Sequence, residues 1–83
     1  MKRNRKIYFR KKIMQNSYGN QYYIDPRQLI QNIKTICKNK DITLKKCKIA
    51  IYAGMSYIEI KSNKKQYDEL CDLLNNLNYI ELC

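Results

Sequence analysis

An α+β fold is predicted by three observations on this chain of 83 residues. Two stretches, 26–39 and 63–76, place apolar residues at helical spacing. Four others, 6–13, 46–51, 57–61 and 79–83, alternate apolar with polar residues, the period of a strand with one buried face. Length supplies the third. A domain this small buries ~60–65% of its unfolded surface, which gives one modest core and no second domain.

Each element has a local reason. Residues 1–5 read as a flexible basic arm and residues 6–83 as a single α+β domain. In the first strand Ile7, Phe9 and Ile13 face one side, and Lys6, Tyr8, Arg10 and Lys12 the other. Asn16-Ser17-Tyr18-Gly19-Asn20 is a turn cluster. Residues 21–24 then read either as a short return strand of a hairpin or as an extended lead into a helix. Asp25 is suited to cap that helix, and Pro26 fits its first turn, where a missing N–H costs nothing. Leu29, Ile30, Ile33, Ile36 and Cys37 form its apolar stripe.

Further along, Cys47, Ile49 and Ile51 point inward opposite Lys46, Lys48 and Ala50. Ala53-Gly54 supplies a hairpin turn, and Ile58 and Ile60 mark the returning strand. Ser62 or Asn63 caps a second helix with the stripe Tyr67, Leu70, Cys71, Leu74 and Leu77. A last strand, Tyr79 to Cys83, turns Ile80 and Leu82 toward the core. The order is β-(β)-α-β-β-α-β. Two right-handed β-α-β crossovers around a central hairpin give a four-stranded antiparallel sheet with both helices on one face, a ferredoxin-like sandwich. The alternative makes 21–24 a full strand of that sheet.

Charge is the most uneven property of the chain. Fourteen of its 17 Lys and Arg residues lie in the first 48 positions, opposed only by Asp25 and Asp41, a net +12. The last 35 residues carry net −2, for +10 overall. Such a concentration opposes folding through self-repulsion and suits a polyanionic partner, nucleic acid first. Lys, Ile, Asn and Tyr make up about half the chain, the skew of an AT-rich coding sequence. Compositional drift spreads lysine evenly, however, and here it is concentrated.

Covering one sheet face with helices leaves the other open. Alternation places Lys6, Tyr8, Arg10 and Lys12 there, then Lys46, Lys48 and Tyr52, then Tyr57, Glu59 and Lys61, and finally Tyr79 and Glu81. Aromatic rings give unstacked bases a flat surface worth ~1–3 kcal/mol each, and the cations neutralise phosphates. Arg3 and Arg5 of the arm add backbone contacts. RNA or another single-stranded nucleic acid is the expected partner. Tyrosine also suits a pleated, half-exposed surface through packing alone.

Ile7-Tyr8-Phe9 resembles the first-strand motif of the RNA-recognition-motif family. Residues 53–60, Ala53-Gly54-Met55-Ser56-Tyr57-Ile58-Glu59-Ile60, are similar to its longer motif at Gly54, Tyr57 and Ile58. That resemblance implies Tyr8 and Tyr57 as a stacking pair. The chain departs from the family at Met55, where an aromatic is expected, at Ala53 in place of a basic residue, and at Ile60 in place of the last aromatic.

Other classes find little to build on. Histidine is absent, so no side chain has an unperturbed pKa near neutrality. The seven carboxylates are scattered, and Gly19 and Gly54 form no phosphate-cradling loop. A non-enzymatic protein without cofactor is expected, with a metal-free ribonuclease of Lys, Arg and Tyr as the enzymatic alternative. Cys37, Cys47, Cys71 and Cys83 lack the close pairing of a zinc site and read as free thiols acting as small hydrophobes. No stretch approaches the ~20 apolar residues of a membrane span. Arg10-Lys11-Lys12 interrupts the apolar run a signal peptide needs, so a cytoplasmic location is expected. A second class of function remains open: an inhibitor from a phage or another mobile element, docking on a nucleic-acid-handling protein or ribonucleoprotein.

Overall fold

The computed structural model describes residues 1–83. Its elements are β1 (Arg3–Lys11), β2 (Met14–Gln15), β3 (Gln21–Tyr22), α1 (Pro26–Asn39), β4 (Thr43–Lys48), β5 (Met55–Ser62), α2 (Lys64–Asn75) and β6 (Ile80–Leu82). The main sheet runs β4-β5-β1-β6 with every neighbouring pair antiparallel. This α+β arrangement is compatible with a ferredoxin-like fold. Residues 14–22 form a separate hairpin of two-residue strands and add nothing to the main sheet.

The core explains the order. Ile7 and Phe9 of β1, Ile58 and Ile60 of β5 and Ile80 of β6 are buried against Leu29, Ile33 and Cys37 of α1 and Leu70 and Leu74 of α2. Both helices therefore cover the same sheet face.

Local chemistry fixes the helix ends. At α1 the Arg27 amide donates to Asp25 Oδ1 at 2.8 Å, the N-cap bond expected for Asp before Pro. At the other end Asp41 adopts φ 56°, while the Ile42 amide donates to the Cys37 carbonyl at 2.9 Å and the Asp41 amide to Lys38 at 3.1 Å. This paired closure ends the helix and drops Ile42 into the core. Helix α2 opens with a capping box. Asn63 Oδ1 accepts from the Gln66 amide at 2.8 Å, and Gln66 Oε1 accepts from the Asn63 amide at 3.1 Å. Asn63→Ala is expected to cost ~1 kcal/mol, and Asn63→Ser only a fraction of that, read from denaturant midpoints.

Five sequence expectations need correction. Residues 3–5 are not a flexible arm. They pair with β5, Arg3 opposite Ser62 and Arg5 opposite Ile60, because β5 is long enough to extend β1 toward the N-terminus. Ile13 is 58% exposed, since β1 ends at Lys11 and the alternation ends with it. Ile51 is 71% exposed because β4 stops at Lys48 and residues 49–54 form a loop. Tyr79 precedes β6 and receives a 2.9 Å hydrogen bond from Asn32 of α1, so it belongs to the helix side of the molecule. Cys83 is exposed, unlike the other three cysteines.

Burial, with a smaller contribution from Cys47, pushes the Cys37 thiol from its ordinary 9.0 up to about 11. Burial also raises Cys47 and Cys71. The folded state thus keeps protons that the unfolded chain releases from about pH 9. Stability contributed by these thiols is intact below that pH and is lost as pH rises through about 11. Denaturant midpoints are expected to fall across this range, and less steeply in Cys37→Ala. Parallel pH profiles for the two proteins contradict the assignment.

Candidate nucleic-acid interface

The uncovered sheet face is organised in rows that cross the strands. Cross-strand register places Lys48 of β4 beside Tyr57 of β5, and Tyr57 beside Tyr8 of β1. Cys83 completes this row, its amide donating to the Tyr8 carbonyl at 3.0 Å. Lys46, Glu59 and Lys6 form the next row, and Thr43, Lys61 and Asn4 the one beyond. On the other side of the tyrosines lie Met55, Arg10 and Glu81. Successive rows on one face are ~6.8 Å apart, two residues of antiparallel strand.

A bulge makes β4 contribute correctly. Leu44 pairs with Ile60 and Lys46 with Glu59, leaving Lys45 as the extra residue. The extra residue reverses the alternation, so Leu44 and Cys47 both pack against the core while Lys46 and Lys48 both face outward.

At the centre, the Tyr8 and Tyr57 rings lie 5.7 Å apart at 41°. Tilted contact holds the rings together without stacking them on each other. Tyr8 is 44% exposed, whereas Tyr57 is half-buried with the Lys6 ammonium 5.3 Å from its ring centroid. A base stacking on Tyr57 must displace that ammonium or use the opposite ring face. Tyr8 is the more accessible surface.

No carboxylate pairs with the surrounding cations. The chain's one ion pair joins Lys64 and Asp68 on α2, at 3.0 Å. Lys6, Arg10, Lys46, Lys48 and Lys61 therefore have no carboxylate within ion-pair distance, although Glu59 and Glu81 share their face.

The sequence-predicted residues separate into groups. Lys6, Tyr8, Arg10, Lys46, Lys48 and Tyr57 come together on the open face. Lys12 follows the end of β1, and Tyr52, 77% exposed, lies in the 49–54 loop that joins Lys48 to Met55. Arg5 is turned away: its guanidinium sits 5.5 Å from the Tyr67 ring of α2, and Nε donates to the Ser62 carbonyl at 3.4 Å. It shares the alternation of Ile7 and Phe9, as does Arg3, so neither reaches the tyrosine row.

Lys11 escaped the sequence reading. It follows Ile7 and Phe9 in the inward alternation and is 7% exposed, the one buried charged side chain. Its Nζ donates to the Ile51 carbonyl at 2.8 Å and lies 5.3 Å from the Tyr23 ring centroid. Burial lowers its pKa from the ordinary lysine value. Simple parity along β1 was the signal that could have found it.

No family model, curated protein or solved structure matches the chain. No helix is long and apolar enough to cross a membrane.

Proposed function

We propose that this protein binds single-stranded nucleic acid, RNA first, on the open sheet face and without chemistry of its own. The observation that carries the reading is the Tyr8–Tyr57 pair standing among Lys6, Arg10, Lys46 and Lys48, none of them held by a carboxylate. Bases lie against the exposed tyrosine surface while the cations neutralise the backbone. The flat, strand-built surface favours unpaired bases, whose faces are accessible, over a duplex that keeps them stacked inside.

Affinity purification under mild salt tests this reading. The expected product carries nucleic acid, seen as absorbance shifted toward 260 nm and removed by high salt through counterion competition. Sequencing the bound nucleic acid and identifying bound proteins by mass spectrometry separate the alternatives. A preparation free of nucleic acid but holding one stoichiometric protein favours the inhibitor reading, in which exposed Ile51 and Tyr52 become protein contacts.

A further inference from the structure

Partly burying an ammonium with no carboxylate within ion-pair distance is costly, and Lys11 offsets that cost with one hydrogen bond and one aromatic contact. Both partners lie on other segments. The Ile51 carbonyl belongs to the β4–β5 loop, and Tyr23 to the link between β3 and α1. Lys11 thus ties the end of β1 to two neighbouring loops. A second bond braces the same loop, from the Ala50 amide to Ser56 Oγ at 2.9 Å.

An open cleft of about 470 Å³ lies beside the fastened segments. Arg10, Lys11, Lys12 and one carboxylate, Glu81, border it, Ile13 and Tyr23 give it apolar surface, and Ala53-Gly54 forms part of its wall. Arg10 also stands one row from Tyr8 on the open face, so the cleft begins one row beyond the tyrosines along β1. Cations beside an aromatic and aliphatic wall match the two halves of a nucleotide, phosphate and base.

We propose that this cleft is a preformed subsite for one further nucleotide of the bound strand, and that Lys11 is the positioning residue that holds it open. The inference rests on the single-strand reading above. Lys11 lines the cleft as well, but its ammonium is spent on the Ile51 carbonyl, so Arg10 and Lys12 are the cations left for a phosphate. Neutralising it therefore removes the subsite without removing a phosphate contact, which gives the proposal a signature distinct from that of Arg10 or Lys12.

The test compares wild type, Lys11→Met, Lys11→Arg and Ala53→Leu, using a fluorescent oligouridylate across a series of salt concentrations. Amide hydrogen exchange of residues 49–54 is followed in parallel. Lys11→Met is expected to speed exchange in that loop and weaken binding roughly 10-fold, the value of one lost stacking contact, with the salt slope unchanged. Lys11→Arg keeps a donor and retains most of the affinity. Ala53→Leu fills the cleft, leaves Lys11 in place and is expected to lose a similar factor, so the test survives if Lys11→Met fails to fold. Unchanged affinity in Ala53→Leu overturns the subsite. A salt slope reduced by about 0.7 in Lys11→Met overturns the positioning role, because it marks a phosphate contact. Wild type that binds no oligouridylate overturns the single-strand reading and the subsite together. Wild type that binds, with folded variants that match it, overturns the subsite alone.

Discussion

Phe9→Ala is expected to be the most damaging single substitution in the chain, costing about 3–5 kcal/mol. Phe9 is the largest fully buried side chain, on central strand β1, and the chain's one phenylalanine. Its removal loses transfer free energy and leaves a cavity that rigid neighbours in β1 and β5 fill only in part. A small domain has ~5–15 kcal/mol of stability at most to lose, and here self-repulsion among the cations reduces it. Circular dichroism melts are expected to show a largely unfolded variant at 37 °C, and Phe9→Leu to recover much of the loss. A melting curve for Phe9→Ala superimposable on wild type refutes the core assignment.

Tyr8→Ala is expected to weaken single-strand binding by ~1–3 kcal/mol while costing only ~1 kcal/mol of stability, from the lost contact with Tyr57. The two effects separate because Tyr8 projects from the open face and Phe9 from the covered one, next to each other in sequence. The slope of log affinity against log salt should stay at the wild-type value, since a tyrosine releases no counterion. Tyr8→Phe keeps the ring and should be almost silent. Arg10→Ala should do the opposite, reducing the slope by about 0.7 for the phosphate contact it loses. If Tyr8→Ala binds as wild type and Arg10→Ala fails, the face is an electrostatic patch without stacking.

The helices were the most legible part of the chain. Asp25-Pro26 and Asn63 mark their starts by side-chain chemistry that acts within three residues, and the apolar stripes then set their buried faces. Alternation along β1 and β5 likewise identified the open face correctly at Lys6, Tyr8, Arg10 and Tyr57. What alternation cannot show is where a strand stops. Ile13 and Ile51 continue an apolar pattern past the last ladder bond, and only tertiary pairing ends it. Arg3 and Arg5 failed for the complementary reason. A run of cations looks like a solvated tail, yet the length of β5 recruits it as strand, and Tyr67 gives Arg5 an aromatic partner from α2. Parity along β1 points Lys11 inward, but its partner, a carbonyl 40 residues away, lies beyond the reach of local pattern.

The location of the bound strand is the central claim, and amide chemical-shift mapping tests it most directly. A short oligouridylate titrated into isotopically labelled protein should perturb Tyr8, Arg10, Lys48, Met55 and Tyr57 first, the residues that share the open face. Amides of α1 and α2 that face the core should hardly move. Perturbations centred on Lys34 and Lys38, which line the groove between α1 and β4, would move the site to the other side of the molecule. Such a map, or no perturbation at all at physiological salt, contradicts the tyrosine face as the binding surface.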